Sequence, residues 1–472
     1  MPGSAQARAA RPHHRRGPSA GVMLSEGAPP SEGVGYADGV DFAGLGVPAP
    51  LCRALADQAI HTPFPIQAAS LPDSLAGRDV LGRGRTGSGK TVAFALPVVA
   101  ALAASNRKRE PRRPRAMVLV PTRELAKQVA AVFGPLADAM GLRVTTVYGG
   151  VPQRPQETAL RNGVDVVIAC PGRLEDLIGQ RHCELDRVEV TVLDEADHLA
   201  DLGFLPTVRK LLDRTPTKSQ RLLFSATLDN GVDQVVDRYL HNPVTHAVDP
   251  VEAPQDVTTH HVLTVNEGEK NAVVMDLAAG YGPTLLFTRT KHGAKKLALR
   301  LSASGISAVE LHGNLSQAAR ERNLAAFSRG SARVLVATDI AARGIHVDGI
   351  ALVVHVDPPA ESKAFLHRSG RTARAGASGV VVTLANESQG RDMRKMTRDA
   401  GISPILTRVG PGHALLQDLA GPPAPRNAHV APPRAIPSVT ERPATPGGGR
   451  SNPSGKQKGR RSWQRNARGA NR

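Results

Sequence analysis

The octapeptide Gly84-Arg85-Thr86-Gly87-Ser88-Gly89-Lys90-Thr91 fits the pattern G-x-x-x-x-G-K-[ST], and 104 residues after Lys90 the tetrapeptide Asp194-Glu195-Ala196-Asp197 closes a largely apolar run, Val188 to Leu193. The first is the chemistry of a polyphosphate cradle. Glycines let backbone N–H groups close on phosphate oxygens, the lysine neutralises β/γ charge and the hydroxyl reaches Mg²⁺. An acidic quartet taken singly is ordinarily a solvated turn. Paired with the loop, it supplies what phosphoryl transfer still needs: Asp194 at a strand end to hold Mg²⁺ through its water shell, and Glu195 to orient or deprotonate the attacking water. A third cluster, His367-Arg368-Ser369-Gly370-Arg371-Thr372-Ala373-Arg374, places three arginines within seven residues. They could line a solvated helix face; brought across a cleft to a γ-phosphate, such arginines are worth roughly 10³ to 10⁵ in rate. The pattern points to triphosphate hydrolysis with Lys90 and Glu195 as catalytic residues and, if arginines of the third cluster cross to the phosphate, a site completed when two parts of the chain close on each other.

Side chains of this kind need rigid strand ends to stand on. Short β-branched runs followed by helix-compatible stretches recur at Ala116–Val120, Arg143–Tyr148, Val164–Ala169, Val188–Leu193 and Arg221–Phe224, the alternation of a parallel sheet with crossover helices. After the Pro- and Asp-bearing stretch Asn242–Val257 the pattern restarts, with candidate strands Thr284–Phe287, Ala308–Leu311, Arg333–Ala337, Leu352–Val356 and Val380–Leu384. The expected fold class is α/β: two tandem parallel-sheet domains, 41–249 and 259–408, joined by a linker at 250–258 and flanked by disordered tails at 1–40 and 409–472. The second half has no phosphate loop of its own, so two similar sheets would share one nucleotide. Ligands of such sheets collect beyond the carboxyl ends of strands. The motifs obey that rule: Val80-Leu81 runs into the phosphate loop, Val118-Leu119-Val120 into Pro121-Thr122-Arg123-Glu124, Leu193 into Asp194, Phe224 into Ser225-Ala226-Thr227, and Leu335-Val336-Ala337 into Thr338-Asp339.

Composition narrows the partners. The 472 residues are 41% apolar, enough for ordinary cores in two or three domains. No stretch approaches the roughly 18 uninterrupted apolar residues of a membrane span, and Arg8, Arg11, His13, His14, Arg15 and Arg16 have no apolar segment behind them, so neither insertion nor secretion is expected. Cys52, Cys170 and Cys183 lack paired C-x-x-C spacing, which argues against a zinc site or a disulfide framework and for a reducing cytoplasm. Net charge is +18, and from Gly421 to Arg472 there are 11 Lys or Arg against the single acid Glu441. That Pro-, Gly-, Ser- and Asn-rich segment reads as a disordered polycation suited to nucleic acid, or as a solubilising tail. Trp463 adds one base-stacking surface to it.

With these motifs in this order, residues 41 to 408 resemble the DEAD-box ATP-dependent RNA helicases of superfamily 2, bacterial type. The resemblance implies two RecA-like domains, ATP and Mg²⁺ as cofactors, and RNA as partner, single-stranded or as short duplex and gripped by its backbone. Phe42 and the segment Thr62-Pro63-Phe64-Pro65-Ile66-Gln67 resemble the adenine-reading element, with Phe42 stacking on the base and Gln67 matching its edge. Nucleotide contacts would come from Gly84, Arg85, Thr86, Gly87, Ser88, Gly89, Lys90, Thr91, Asp194, Glu195, Asp339, Arg371 and Arg374, with Thr91 and Asp194 at the metal. RNA contacts would come from Pro121, Thr122, Arg123, Gly149, Gly150, Pro171, Gly172 and Arg173 in the first domain. Thr288, Arg289, His312, Gly313, Gln317, Arg320, Thr338 and Arg343 would add those of the second. Ser225, Ala226, Thr227, Asp197 and His367 would couple nucleotide state to domain closure.

Phe64, Cys170, Ala373 and His346 depart from the family pattern, which commonly has threonine, threonine, glycine and aspartate there. The last, in Ala342-Arg343-Gly344-Ile345-His346-Val347-Asp348, implies modified ATP coupling with activity retained. The resulting expectation is a monomeric RNA-stimulated ATPase that separates short duplexes locally, with ribosomal or RNA-decay proteins as possible partners. Two rivals stand beside it: an ATP-dependent RNA clamp without useful turnover, against which Glu195, Arg371 and Arg374 argue, and a DNA-directed helicase. The choice of RNA over DNA rests on the resemblance.

Overall fold

Runs such as Val166–Ala169 and Val334–Ala337 carry no polar side chain on either face, a composition stable only inside a sheet covered by helices on both sides. The computed structural model describes residues 39–84, 87–228, 231–248, 258–342, 347, 349–373 and 378–426, and it places both runs, wholly buried, in the interior of a parallel sheet. The first half runs α1 (Ala49–Ala56), α2 (Pro65–Leu75), β1 (Val80–Arg83), α3 (Lys90–Ala104), β2 (Ala116–Leu119), α4 (Arg123–Ala139), β3 (Val144–Val147) and α5 (Arg154–Arg161). It continues through β4 (Val166–Ala169), α6 (Pro171–Gly179), β5 (Val190–Leu193), α7 (Ala196–Asp201), α8 (Leu205–Leu212), β6 (Gln220–Ser225), α9 (Val232–Tyr239) and β7 (Val244–Ala247). The second half comprises β8 (Thr258–Thr264), α10 (Lys270–Leu277), β9 (Thr284–Phe287), α11 (Lys291–Ala303), β10 (Ala308–Leu311), α12 (Gln317–Ser328), β11 (Val334–Ala337) and α13 (Asp339–Ala342). It ends with β12 (Leu352–His355), α14 (Ser362–Ser369), β13 (Gly379–Ala385), α15 (Gly390–Asp399), β14 (Ile405–Arg408) and α16 (Ala414–Ala420).

The two sheets have the same topology. Strand order is β3-β4-β2-β5-β6-β1-β7 in the first and β10-β11-β9-β12-β13-β8-β14 in the second, so each strand of the second sheet corresponds to the one seven places earlier. All described pairings are parallel. Alternation along each strand sorts side chains to opposite faces. Val118, Val166, Ile168, Val190, Val192, Leu222 and Phe224 join one core, while Met117, Leu119, Val167, Ala169, Leu193 and Leu223 join the other. Helix α3 is apolar on every side, because it lies between the sheet and helices α2 and α4.

The second domain extends beyond its expected end at 408. Leu416 of α16 is completely buried on α10, Tyr281 N–H donates to Pro422 O (2.9 Å), and Ala424 N–H donates to Ala279 O (2.9 Å). Folded chain therefore reaches into the segment assigned to the tail; short length and a single buried leucine hid the helix. Strands β7, β8 and β14 were also not expected. Their sequences, VTHA, TTHHVLT and ILTR, are polar or half-exposed because two of them lie at sheet edges and the third beside one. No described helix is long and apolar enough to cross a membrane. Residues 1–38 of the tail expected at 1–40, 427–472 of the tail expected at 409–472, with Trp463, and 250–257 of the linker expected at 250–258 lie outside the described residues.

Candidate active site between the two sheets

The chain leaves β1 at Gly84 and enters α3 at Lys90 through Gly89, whose φ of +84° lies in the left-handed region open to glycine. A Cβ at Gly89 would stand 2.5 Å from the Gln67 amide nitrogen and 2.9 Å from the Phe64 ring, so this position also needs the missing side chain. The Lys90 ammonium, 8% exposed, donates to Gly84 O at 2.5 Å and so sits inside the loop it is meant to serve. Gln67, 1% exposed, accepts from Phe64 N–H and donates to Gly89 O, each at 2.9 Å. It braces the loop's entry into α3, and its amide keeps one further lone pair and one further N–H for an adenine edge. Phe42 is 3% exposed within the core cluster, so its ring face is not open for stacking in this conformation. Gly87, Ser88 and Thr91 lie along the same loop and first turn, and Arg85 and Thr86 lie outside the described residues.

Strand β5 delivers Asp194 and Glu195, 3% and 5% exposed, side by side beyond its carboxyl end. Burial, and then the neighbouring Glu195 charge, push the Asp194 carboxyl up to about 7, with Lys90 pulling the other way. Such a pair is short of positive charge, which suits a cation. Glu195 adopts φ +49°, ψ +52°, a left-handed backbone that costs a non-glycine residue about 1–2 kcal/mol and recurs at functional sites. Among its contacts, its N–H donates to Asp194 Oδ1 (2.9 Å), and its Oε2 meets His198 Nδ1 at 2.8 Å. Asp197 faces the other way. Its N–H donates to Ser225 Oγ (3.2 Å), Ser225 Oγ donates to Thr227 O (2.6 Å), and Thr227 Oγ1 reaches Asp197 Oδ2 (3.5 Å), so Ser225-Ala226-Thr227, the segment expected to couple nucleotide state to closure, is bonded to the acidic segment.

Helix α14 of the second domain stands against α7. The rings of His367 and His198 meet edge-on, with centroids 4.8 Å apart, and Lys363 Nζ reaches Asp201 Oδ1 at 3.3 Å. Burial, and then the His198 ring, lower the His367 imidazole to about 4, so it is neutral at pH 7. One residue on, Arg368 forks onto Asp339 through Nε (2.6 Å) and Nη2 (2.8 Å), donates Nη1 to Asp357 O (2.7 Å), and lies 5.1 Å from the Phe287 ring centre. Asp339 was expected at the nucleotide. In the structure its carboxylate pairs with Arg368, α13 following β11 and α14 following β12, the strands on either side of β9 in one sheet. Arg371 is 5% exposed and lines one pocket with Phe287, Asp339, His367 and Arg368. Ala373 has φ +54°, the left-handed conformation that makes glycine the easier residue there.

The expected RNA contacts gather beyond β3-β4-β2 and β10-β11-β9, the matching flanks of the two sheets. Thr122 caps α4, accepting from Leu125 N–H at 3.2 Å. Gly150 lies under the Arg123 guanidinium, where a Cβ would overlap it, and Pro171, Gly172 and Arg173 open α6 close to Gly149. Arg173 Nη1 is buried without a hydrogen-bond partner. Opposite them are Thr288 and Arg289 after β9, His312 and Gly313 after β10, and Thr338 after β11. Gln317 and Arg320 have another task. Arg320 Nε donates to Glu124 Oε1 at 2.8 Å, Gln317 Oε1 accepts from Arg123 Nη1 at 3.2 Å, and Lys127 pairs with Glu321 alongside, so α12 is clamped to α4. Burial alone would raise the Glu124 carboxyl; the Arg320 hydrogen bond and charge, with help from Gln317, bring it below its ordinary value.

Residues 64–235 match the DEAD/DEAH box helicase family, and residues 269–376 match the helicase conserved C-terminal domain. The chain is 38% identical over 376 residues to the ATP-dependent RNA helicase RhlB of Shigella flexneri, covering 78% of this chain and 89% of that protein. The chain belongs to the DEAD-box ATP-dependent RNA helicase family. It is also 38% identical over 394 residues to DEAD-box ATP-dependent RNA helicase 9 of Oryza sativa, covering 82% of this chain but spanning only 61% of that relative's length. Among solved structures it resembles S. cerevisiae Dbp5 bound to RNA and ADP BeF3, with TM-score 0.70 and 26% identity over 80% of this chain and 99% of the other.

For a DEAD-box protein the site holds three side chains that were not assigned roles: His198 on Glu195, Glu124 on Arg320, and Arg368 on Asp339. Only the first had a visible signal, since a residue three places after Glu195 returns to its side of a helix. Cys170, the residue before α6, provides no side-chain cap, and Pro171 at the next position has no N–H that needs one. Arg343, His346, Asp348 and Arg374 lie outside the described residues, and so does any test of the His346 departure.

Proposed function

We propose that this chain hydrolyses ATP in response to RNA and uses the cycle to open short RNA duplexes or remodel RNA–protein complexes locally, without travelling far. The observation that carries this reading is the seat of α14 on α7. It sets His367 and Lys363 of one domain against His198 and Asp201, just after the acidic quartet of the other, so nucleotide chemistry and domain closure depend on the same contact. The likeness to Dbp5 bound to RNA and ADP BeF3 supports it. In this reading Gln67 receives adenine, with Phe42 stacking on the base once its ring leaves the core, the loop Gly84–Thr91 and Lys90 cradle the phosphates, Glu195 aims the water, and Arg371 and Arg374 meet the γ-phosphate.

Mg²⁺ fits the donor set, because Thr91 offers a hydroxyl and Asp194 a carboxylate in a place short of positive charge. When bound, the ion neutralises phosphate charge. RNA lies by its backbone along Thr122-Arg123, Gly149-Gly150 and Gly172-Arg173, then Thr288, Arg289, His312 and Thr338, with the buried unsatisfied Arg173 Nη1 as the donor most in need of a phosphate. The basic segment after residue 426 adds affinity independent of sequence. The three free cysteines suit a reducing cytoplasm, where a monomer acting with ribosomal or decay proteins is the simplest form.

The reading is tested by strand displacement. A labelled RNA duplex of about one helical turn should separate with ATP, and a duplex several turns long should separate far more slowly, because local opening leaves most of the stacked pairs of a long duplex in place. Equal rates for both lengths would replace local opening with translocation.

A further inference from the structure

His198 is 3% exposed, lies one turn after Glu195 on α7, and places Nδ1 2.8 Å from Glu195 Oε2. With the carboxylate ionised, Nδ1 carries the hydrogen and Nε2 keeps a lone pair. That Nε2 is buried and has no hydrogen-bond partner. A buried polar atom left unsatisfied is costly, so an imidazole is a poor choice for filling this space and an apolar residue would fill it better. The atom that justifies the ring is Nδ1. The ring, in turn, meets the His367 ring of the second domain in a T-shaped contact, centroids 4.8 Å apart, and Lys363 with Asp201 joins the same two helices beside it.

We propose that His198 is a positioning residue. Its Nδ1–H fixes the rotamer of the Glu195 carboxylate, and docking of α14 fixes His198, so the carboxylate is aimed at water only when the second domain is in place. This rests on the reading of Glu195 as the group that orients or deprotonates the water. It adds a route by which arrival of the second domain reaches that group, through a side chain of the first domain rather than through the arginines.

The test uses the full chain and reads kcat and ATP KM with and without RNA for wild type, His198→Ala, His198→Asn and His198→Gln. An asparagine amide nitrogen stands about where Nδ1 stood, and a glutamine amide nitrogen about where Nε2 stood. His198→Ala should lower the RNA-stimulated kcat by about 10- to 100-fold, the cost of a misaligned reacting group, with KM nearly unchanged. Asparagine should restore most of the loss and glutamine should not. Single-turnover hydrolysis by Glu195→Gln should fall no further when His198→Ala is added. Equal rates for asparagine and glutamine, a change confined to KM, or a full loss on top of Glu195→Gln would each overturn the proposal and leave Glu195 its role. If the alanine variant fails to fold, the asparagine and glutamine pair decides. Wild-type hydrolysis by Glu195→Gln would instead remove the reading of Glu195, and the role of His198 with it.

Discussion

Glu195→Gln is expected to stop multiple turnover of ATP, by roughly 10²- to 10⁴-fold, the usual contribution of a positioned general base, while ATP and RNA still bind. The amide has the size of the carboxylate and lacks its charge and basicity, so the left-handed backbone at φ +49° and the hydrogen bond from Glu195 N–H to Asp194 Oδ1 can persist. Removing one charge also relieves the repulsion that raises Asp194, which favours folding and nucleotide binding rather than opposing them. Phosphate release at steady state, set against equilibrium binding of ATP and RNA, checks this. Unchanged hydrolysis would take Glu195 out of the mechanism.

Truncating Arg320 to alanine should act on closure instead of chemistry. Glu124 is 8% exposed and Arg320 9%, and the pair spans the two domains at 2.8 Å. Removing one partner of a buried ion pair leaves the other charge uncompensated, at about 3–5 kcal/mol, which corresponds to roughly 10²- to 5 × 10³-fold against the closed arrangement. RNA-stimulated hydrolysis should fall accordingly, with each domain still folded. Neutralising the stranded carboxylate as well, in Glu124→Gln with Arg320→Ala, should recover part of the loss, because the charge left without a partner has gone. If Arg320→Ala instead weakens nucleotide-free RNA binding by the same factor whether residue 124 is Glu or Gln, Arg320 is a phosphate contact, as its position after β10 first suggests.

That contrast shows where the sequence stops. The interior strands and the loop are legible because continuous apolar runs and glycine spacing are local constraints, and Thr284–Phe287 is found with the ends inferred for it. Edge strands such as Ile405–Arg408 escape because half their surface faces solvent and their composition follows. The site divides along the same line. Residues that work at their own strand end, Lys90, Asp194 and Glu195, declare themselves by motif. Residues that work by meeting the other domain do not. Nothing local says that Arg320 will find a carboxylate 196 residues away, or that Arg368 will take Asp339, since an arginine beyond a strand end suits a phosphate equally well.

The central claim is that one ATP site is shared by two domains and that RNA brings them together. The most direct measurement is the rate of ATP hydrolysis by the full chain with no nucleic acid, with single-stranded RNA, and with DNA of matched sequence. The account predicts a low rate alone, strong stimulation by RNA and little by DNA. Equal stimulation by DNA, or a rate indifferent to any nucleic acid, would contradict it.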